Sequence, residues 1–144
     1  MRLLVPLDLS SATDRVLAAT RAVARDTKAE VWLLHVGEPN PDFVGYETGS
    51  EAVRDVIAHE YRGEHRKLQE YAEALRKEGI ETTALTIRGP TAATILNEAR
   101  RLGVELIVMA THGRGAVFDL LVGSVSHAVL RDSRVPVLLV PARD

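Results

Sequence analysis

The residues best suited to chemistry are concentrated in one stretch. Ala110-Thr111-His112-Gly113-Arg114-Gly115-Ala116 is followed by Val117 to Val122 and then by Gly123-Ser124-Val125-Ser126. Glycine at Gly113 and Gly115 permits positive φ, so backbone N–H groups can converge on an anion. A helix opening at Gly123 would add unsatisfied N–H donors and about half a positive charge. Ser124 and Ser126 bring hydroxyl donors and Arg114 a fixed cation. Together these residues form a candidate phosphate cradle. A plainer reading uses the same residues: Gly113 and Gly115 only turn the chain, and Ser124 only caps a helix.

Several other chemistries lack their residues. The chain contains no cysteine, which excludes disulfides, thiolate zinc sites, iron–sulfur ligation and cysteine catalysis. None of its three lysines, Lys28, Lys67 and Lys77, follows a glycine-rich turn, so there is no Walker A loop. No G-x-G-x-x-G follows the first apolar run, and Gly123-Ser124-Val125-Ser126-His127 lacks the second glycine of a nucleophile elbow. Ser10-Ser11-Ala12-Thr13 stands where an adenylyl transferase would carry H-x-G-H. His59 and His65 are six apart, off the spacing that shares a helix face, and are expected on a solvated face. His35 is expected in a structural role at a strand end, and His112 as a loop contact rather than an acid–base group. With 18 Lys+Arg against 20 Asp+Glu the net charge is −2, which gives no footprint for nucleic acid.

The 144 residues amount to one domain, taken as 1–144. Short, nearly continuous apolar runs predict buried parallel strands at Arg2 to Leu7, Glu30 to Val36, Glu81 to Ile87, Val104 to Ala110 and Val135 to Val140. Pro136 assigns the last to a sheet edge. Between them lie helical patterns. Ser11-x-x-Asp14 resembles a capping box ahead of Val16, Ala19 and Val23. Glu51 to Glu78 carries Ile57, Tyr61, Leu68, Ala72 and Leu75, with Gly63 expected to weaken or break it. Ala92, Ile95, Leu96 and Ala99 mark a third helix, and Leu121, Val125, Ala128 and Val129 a fourth. Gly79 and Gly103 follow cationic last turns and predict helix ends.

This alternation predicts an α/β fold: an open parallel five-stranded sheet of order 3-2-1-4-5, helices on both faces, Rossmann-like. Ligands on such sheets sit where the winding reverses, outside the carboxyl ends of strands 1 and 4. That position favours the cradle reading of the glycine stretch. Two long loops, Gly37 to Ser50 and Thr111 to Leu120, also point to function. Phe43 and Tyr46 in the first either gate the site or anchor the loop, and Trp32 is expected in a core or an interface. No apolar run approaches the ~20 residues of a membrane helix, and Met1 to Asp8 meets charge too early for a signal-peptide core. A cytoplasmic domain with no membrane partner is expected.

These residues carry a resemblance. Ala110-Thr111-His112-Gly113, nine residues, then Gly123-Ser124 is similar to the G-x-x-G, nine residues, G-[ST] signature of nucleotide-binding universal stress proteins. Val5-Pro6-Leu7-Asp8-Leu9-Ser10 resembles that family's V-P-x-D-x-S opening, and Leu34-His35-Val36 the end of its second strand. Val135-Pro136-Val137-Leu138-Leu139-Val140 resembles its last strand, so the likeness spans essentially the whole chain. Two positions depart. Ala110 stands at the first signature glycine, and Gly89-Pro90-Thr91-Ala92 has its proline one place early, which should affect a turn rather than a ligand.

The resemblance implies an adenine-nucleotide site for ATP, or ADP or AMP, with Mg held through the phosphates. Pro6, Leu7 and Asp8 would line its nucleoside end, where a carboxylate can accept from ribose or the adenine amine. The other reading of Asp8 is an N-cap for the first helix. Val36 would meet the adenine edge through its backbone. Met109, Ala110, Thr111, His112, Gly113, Arg114 and Gly115 would follow ribose and phosphates, and Gly123, Ser124, Val125 and Ser126 would hold the phosphate tail. No catalytic residue or protein metal ligand is assigned. The implied function is a regulatory, stress-response nucleotide sensor. A slow ATPase or autophosphorylating enzyme, or a nucleotide-free dimeric interaction module, remains open. A homodimer is expected because the apolar edge run Val135 to Val140 needs cover.

Overall fold

Strands and helices alternate strictly along the chain in the computed structural model, which describes residues 1–37, 51–113 and 122–142. They are β1 (Arg2–Pro6), α1 (Thr13–Thr27), β2 (Glu30–Gly37), α2 (Glu51–Lys77), β3 (Thr82–Arg88), α3 (Thr91–Leu102), β4 (Leu106–Ala110), α4 (Ser124–Asp132) and β5 (Val137–Val140). The strands form one five-stranded sheet of order β3-β2-β1-β4-β5, every pair parallel. The expected order and its reversal between β1 and β4 are therefore present. β5 is an edge strand and begins just after Pro136, whose carbonyl accepts from Ile107 N–H at 3.0 Å.

Strand residues alternate between two apolar layers, as pleating requires. Leu3, Val5, Val31, Leu33 and Val108 join Val16, Leu17 and Ala24 of α1 and Leu68, Ala72 and Leu75 of α2. On the other face Leu4, Leu34, Ile107 and Met109 join Ile95 and Ala99 of α3 and Val129 of α4, with Trp32 packed at the margin. Each fully buried Leu or Ile contributes about 1.5–3 kcal/mol. Across the α1–α2 layer, Glu78 bonds both Arg21 and Arg25 at 2.6 Å. The Arg21 guanidinium, with help from Arg25, holds the Glu78 carboxyl below its ordinary value.

Two local expectations are corrected. The capping box at Ser11-x-x-Asp14 does not form: α1 starts at Thr13, and its N-cap Ala12 has no side-chain cap. Successive side-chain turns bring the chain in instead, with Asp8 Oδ1 accepting from Ser10 N–H at 3.0 Å and Ser10 Oγ from Ala12 N–H at 3.3 Å. Gly63 does not break α2, which runs unbroken for 27 residues. Gly63 is exposed on its outer face, while Leu68, Ala72 and Leu75 anchor the helix to the sheet. Leu121, Phe43 and Tyr46 lie outside the described residues.

A Cβ at Gly63 would meet nothing within 4 Å. Gly63→Ala is therefore expected to raise unfolding free energy by about 0.5–1 kcal/mol in urea denaturation, because alanine has less chain entropy to lose in a helix.

Candidate functional site

β1 and β4 are neighbours, with Leu3 beside Leu106 and Leu4 beside Ile107, so their carboxyl ends open into one cleft. From the β1 side comes Asp8. Its Oδ1 is engaged by Ser10 N–H, and its Oδ2 lies 3.4 Å from the point where Gly113 would carry a Cβ. Residues distant in sequence, Asp8 and Gly113, thus face each other across the reversal. Asp8 is not the N-cap of α1; it shapes the turn ahead of it. Leu9, just after, has φ 62°, a left-handed conformation rare for a branched side chain. Such strain persists where the surroundings over-determine the backbone, and it gathers at functional sites.

From the β4 side the chain leaves along Thr111, His112 and Gly113. Thr111 N–H donates to Val140 at 2.9 Å, and the Thr111 carbonyl accepts from Gly123 N–H at 2.8 Å. Thr111 Oγ1 accepts from Ala142 N–H at 3.1 Å and lies 3.0 Å from His112 Nδ1. His112 is buried, 7% exposed, consistent with a shaping contact.

Gly123 closes the site. A Cβ there would stand 3.2 Å from His112 Cα and 3.4 Å from the Thr111 carbonyl oxygen. Its φ of −69° is open to any residue, so glycine is needed for space alone. The close approach lays the first turn of α4 against Thr111–Gly113. The first intrahelical bond of α4 runs from His127 N–H to the Gly123 carbonyl, and no side chain caps the helix at Gly123. The N–H groups of Ser124, Val125 and Ser126 consequently have no intrahelical acceptor, and the helix dipole makes that end attractive to an anion.

The remaining expected site residues separate into backbone and side-chain roles. Ser126 is buried and donates its hydroxyl proton to the Ala110 carbonyl at 2.8 Å; its hydroxyl ties α4 to β4 and is not a donor left for a ligand. Ser124 is exposed at the helix start. Met109 and Val125 pack their side chains in the α3–α4 layer, and Ala110 packs against the α1–α2 layer, so these three offer only backbone to the cleft. Val36 lies one strand further along the sheet. The Leu34 carbonyl accepts from Leu7 N–H, and Val31 N–H donates to Glu81 toward β3. By that alternation Val36 turns its N–H and C=O toward β1, two residues past the last β1 bond. Pro6 ends β1, half-buried. Arg114 and Gly115 lie outside the described residues. At Gly89, φ is 156° and a Cβ would stand 2.8 Å from Thr94 Oγ1, while Pro90 is the N-cap of α3. The shifted proline thus stands at the start of α3.

His35 has the structural role near a strand end that the sequence led one to expect, and its partners come from outside its own segment. His35 is buried, with Nδ1 2.8 Å from the Leu7 carbonyl and Nε2 2.8 Å from Glu64 Oε2 of α2. Strand alternation was the available signal, since His35 shares a face with Val31 and Leu33 beneath α2. His65 is corrected. It does not lie on a solvated face; its Nδ1 meets Thr86 Oγ1 of β3 at 2.7 Å, whereas His59 is exposed.

The universal stress protein family model matches residues 1–141. The chain belongs to the universal stress protein family. Universal stress protein YxiE of Bacillus subtilis is 32% identical, the match covering 96% of this chain and 97% of that protein. A Thermus aquaticus universal stress protein is 35% identical, with 96% of each chain covered. Among solved structures, protein MJ0577 of Methanocaldococcus jannaschii superposes with a TM-score of 0.84 at 25% identity, over 99% of this chain and 96% of that one. More distant members share the fold. One was solved in complex with cAMP (TM-score 0.68, 18% identity, 99% and 98% covered). An Archaeoglobus fulgidus member was solved with dAMP (0.66, 20%, 97% and 97%). No helix among the described residues of this universal stress protein is long and apolar enough to cross a membrane.

Gly123→Ala is expected to lower unfolding free energy by about 1–3 kcal/mol in thermal or urea melts without ligand, because its methyl meets backbone that cannot step aside.

Proposed function

We propose that this universal stress protein binds an adenine nucleotide, ATP or else ADP or AMP, across the β1–β4 reversal and acts as a regulatory nucleotide sensor. The carrying observation is the Gly123 contact. A position with little room for a side chain sets three first-turn N–H groups, which have no intrahelical acceptor, against the Thr111–Gly113 chain. That arrangement suits phosphate oxygens. Asp8 stands across from it and would repel phosphate, so it marks the nucleoside end, with ribose hydroxyls or the adenine amine as its partners. Val36 would meet the base edge through its backbone, as Pro6 and Leu7 line the floor. Met109 to Gly115 would run beside ribose and phosphates, and Gly123 to Ser126 would receive the phosphate tail. Mg would be held by phosphate oxygens and water. The adenine mononucleotides in two distant fold relatives accord with this reading.

A sensing role rather than rapid catalysis is supported by how the polar side chains are used. Ser126 donates to Ala110, and His112 leans on Thr111. Both are spent on shape. Dimerisation through β5 completes the reading: Leu138 is 38% exposed on an edge strand, and antiparallel pairing with a second copy would cover it.

Isothermal titration with ATP is expected to give saturable micromolar binding, and labelled ATP to be turned over far more slowly than about 1 per second. Asp8→Ala should weaken ATP and adenosine while sparing inorganic triphosphate. No ATP binding, or equal losses for adenosine and triphosphate, would contradict the assignment.

A further inference from the structure

The sheet has two edges, β3 at one and β5 at the other, and the chain treats them differently. Val31 N–H donates to the Glu81 carbonyl at 2.8 Å, so Glu81 turns its polar backbone toward β2. Thr83, Leu85 and Ile87 repeat that direction. Thr82, Ala84 and Thr86 therefore turn their N–H and C=O groups away from the sheet, where an added strand would bond them. The segment is a good template for one. Thr82-Thr83-Ala84-Leu85-Thr86-Ile87 is rich in β-branched residues and has no charge, proline or glycine.

This edge is nevertheless covered. Thr82 is 5% and Ala84 8% exposed, values of an interior strand rather than an outermost one. The cover comes from α2. Arg76 Nε donates to the Thr82 carbonyl at 2.8 Å, and the Tyr61 hydroxyl donates to the Thr86 carbonyl at 2.8 Å. Between them His65 Nδ1 meets Thr86 Oγ1 at 2.7 Å, with Gln69 Nε2 3.3 Å from His65 Nε2. Tyr61, His65, Gln69 and Arg76 fall at steps of four, four and seven, which make one stripe along a helix. The Arg88 guanidinium lies 4.6 Å over the Tyr61 ring and holds it at the strand's end. Two of the outward carbonyls are thus already bonded, and the residue between them is buried.

β5 is left open by contrast. Ile107 N–H donates to Pro136 and Thr111 N–H to Val140, so Val137 and Leu139 are the residues that face outward. Among the described residues no side chain bonds either carbonyl, and Leu138 is 38% exposed. We propose that the Tyr61–Arg76 stripe of α2 is a guard that denies the β3 edge to an added strand, so that a second copy of this chain can join through β5 only. Pairing at both edges would link copy to copy without end, whereas pairing at one edge closes on a two-fold pair. The closed pair rests on the β5 reading above; the guard stands on β3 and α2 alone.

Tyr61→Ala combined with Arg76→Ala opens the edge, while Leu68, Ala72 and Leu75 still anchor α2. In sedimentation velocity the parent is expected to stop at one pair, and the double variant to grow into larger species as its concentration rises. Hydrogen exchange of the double variant, run at high and at low concentration and read by NMR after dilution, locates the contact. At high concentration the outward Ala84 and Thr86 amides should exchange about tenfold more slowly, the worth of one hydrogen bond. The inward Thr83 and Leu85 amides should not change. Comparing the variant with itself removes any loss of stability from the result. Should the double variant not fold, Arg76→Ala alone, at an exposed side chain, is expected to show the same growth and protection to a smaller extent. A folded variant that keeps the parent's size, or larger species that leave Ala84 and Thr86 unprotected, would overturn the proposal. A monomeric parent would instead overturn the β5 reading. The guard then predicts that the double variant pairs through β3, and a monomer there would overturn it as well.

Discussion

The cleft depends on one short approach, the first turn of α4 lying against the chain that leaves β4. Gly123 N–H bonds the Thr111 carbonyl, and the missing side chain lets the backbones meet. Ser126 secures the same contact a turn later through the Ala110 carbonyl. Those bonds fix the direction in which the first-turn N–H groups of α4, which have no intrahelical acceptor, point. A helix N-terminus attracts anions wherever it lies, but here it is aimed into the reversal of a parallel sheet, opposite a carboxylate from β1. The polarity of the site follows from that opposition: donors at one end, an acceptor at the other.

The sheet sets the opposition. Parallel strands bring every carboxyl end to one edge, and the order β3-β2-β1-β4-β5 sends the chain away in opposite directions from β1 and β4. The two departing segments diverge at that reversal, the place where open α/β sheets take their ligands. Both apolar layers hold this frame rigid. The wall on the β2 side is polar where it reaches the cleft, because His35 carries the α2-facing alternation of Val31 and Leu33 out to the strand's end.

Much of this was legible in the residues. Continuous apolar runs marked the strands, since two-sided burial leaves no polar alternation, and the β-α-β rhythm with right-handed crossovers led to the strand order. Glycine spacing and the position after β4 pointed to the cleft. What was not legible were choices among hydrogen-bond partners. Ser126 looked like a ligand donor, but the Ala110 carbonyl at the end of β4 takes its proton. Ser11 and Asp14 matched a capping box, yet Asp8 and Ser10 build the turn that delivers the chain to α1. Gly63 looked like a break because propensity is local, whereas packing by Leu68, Ala72 and Leu75 is not. His65 and His35 gained partners from other strands and helices, contacts that spacing along one segment cannot reveal.

Backbone amide shifts during nucleotide titration test the central claim most directly. ATP is predicted to move the amide resonances of Gly113, Ser124, Val125 and Ser126 strongly, while adenosine moves those around Asp8 and Val36 and leaves the α4 amides nearly still. ATP binding that leaves the Ser124–Ser126 amides unmoved would contradict the account, because the phosphates would then lie elsewhere.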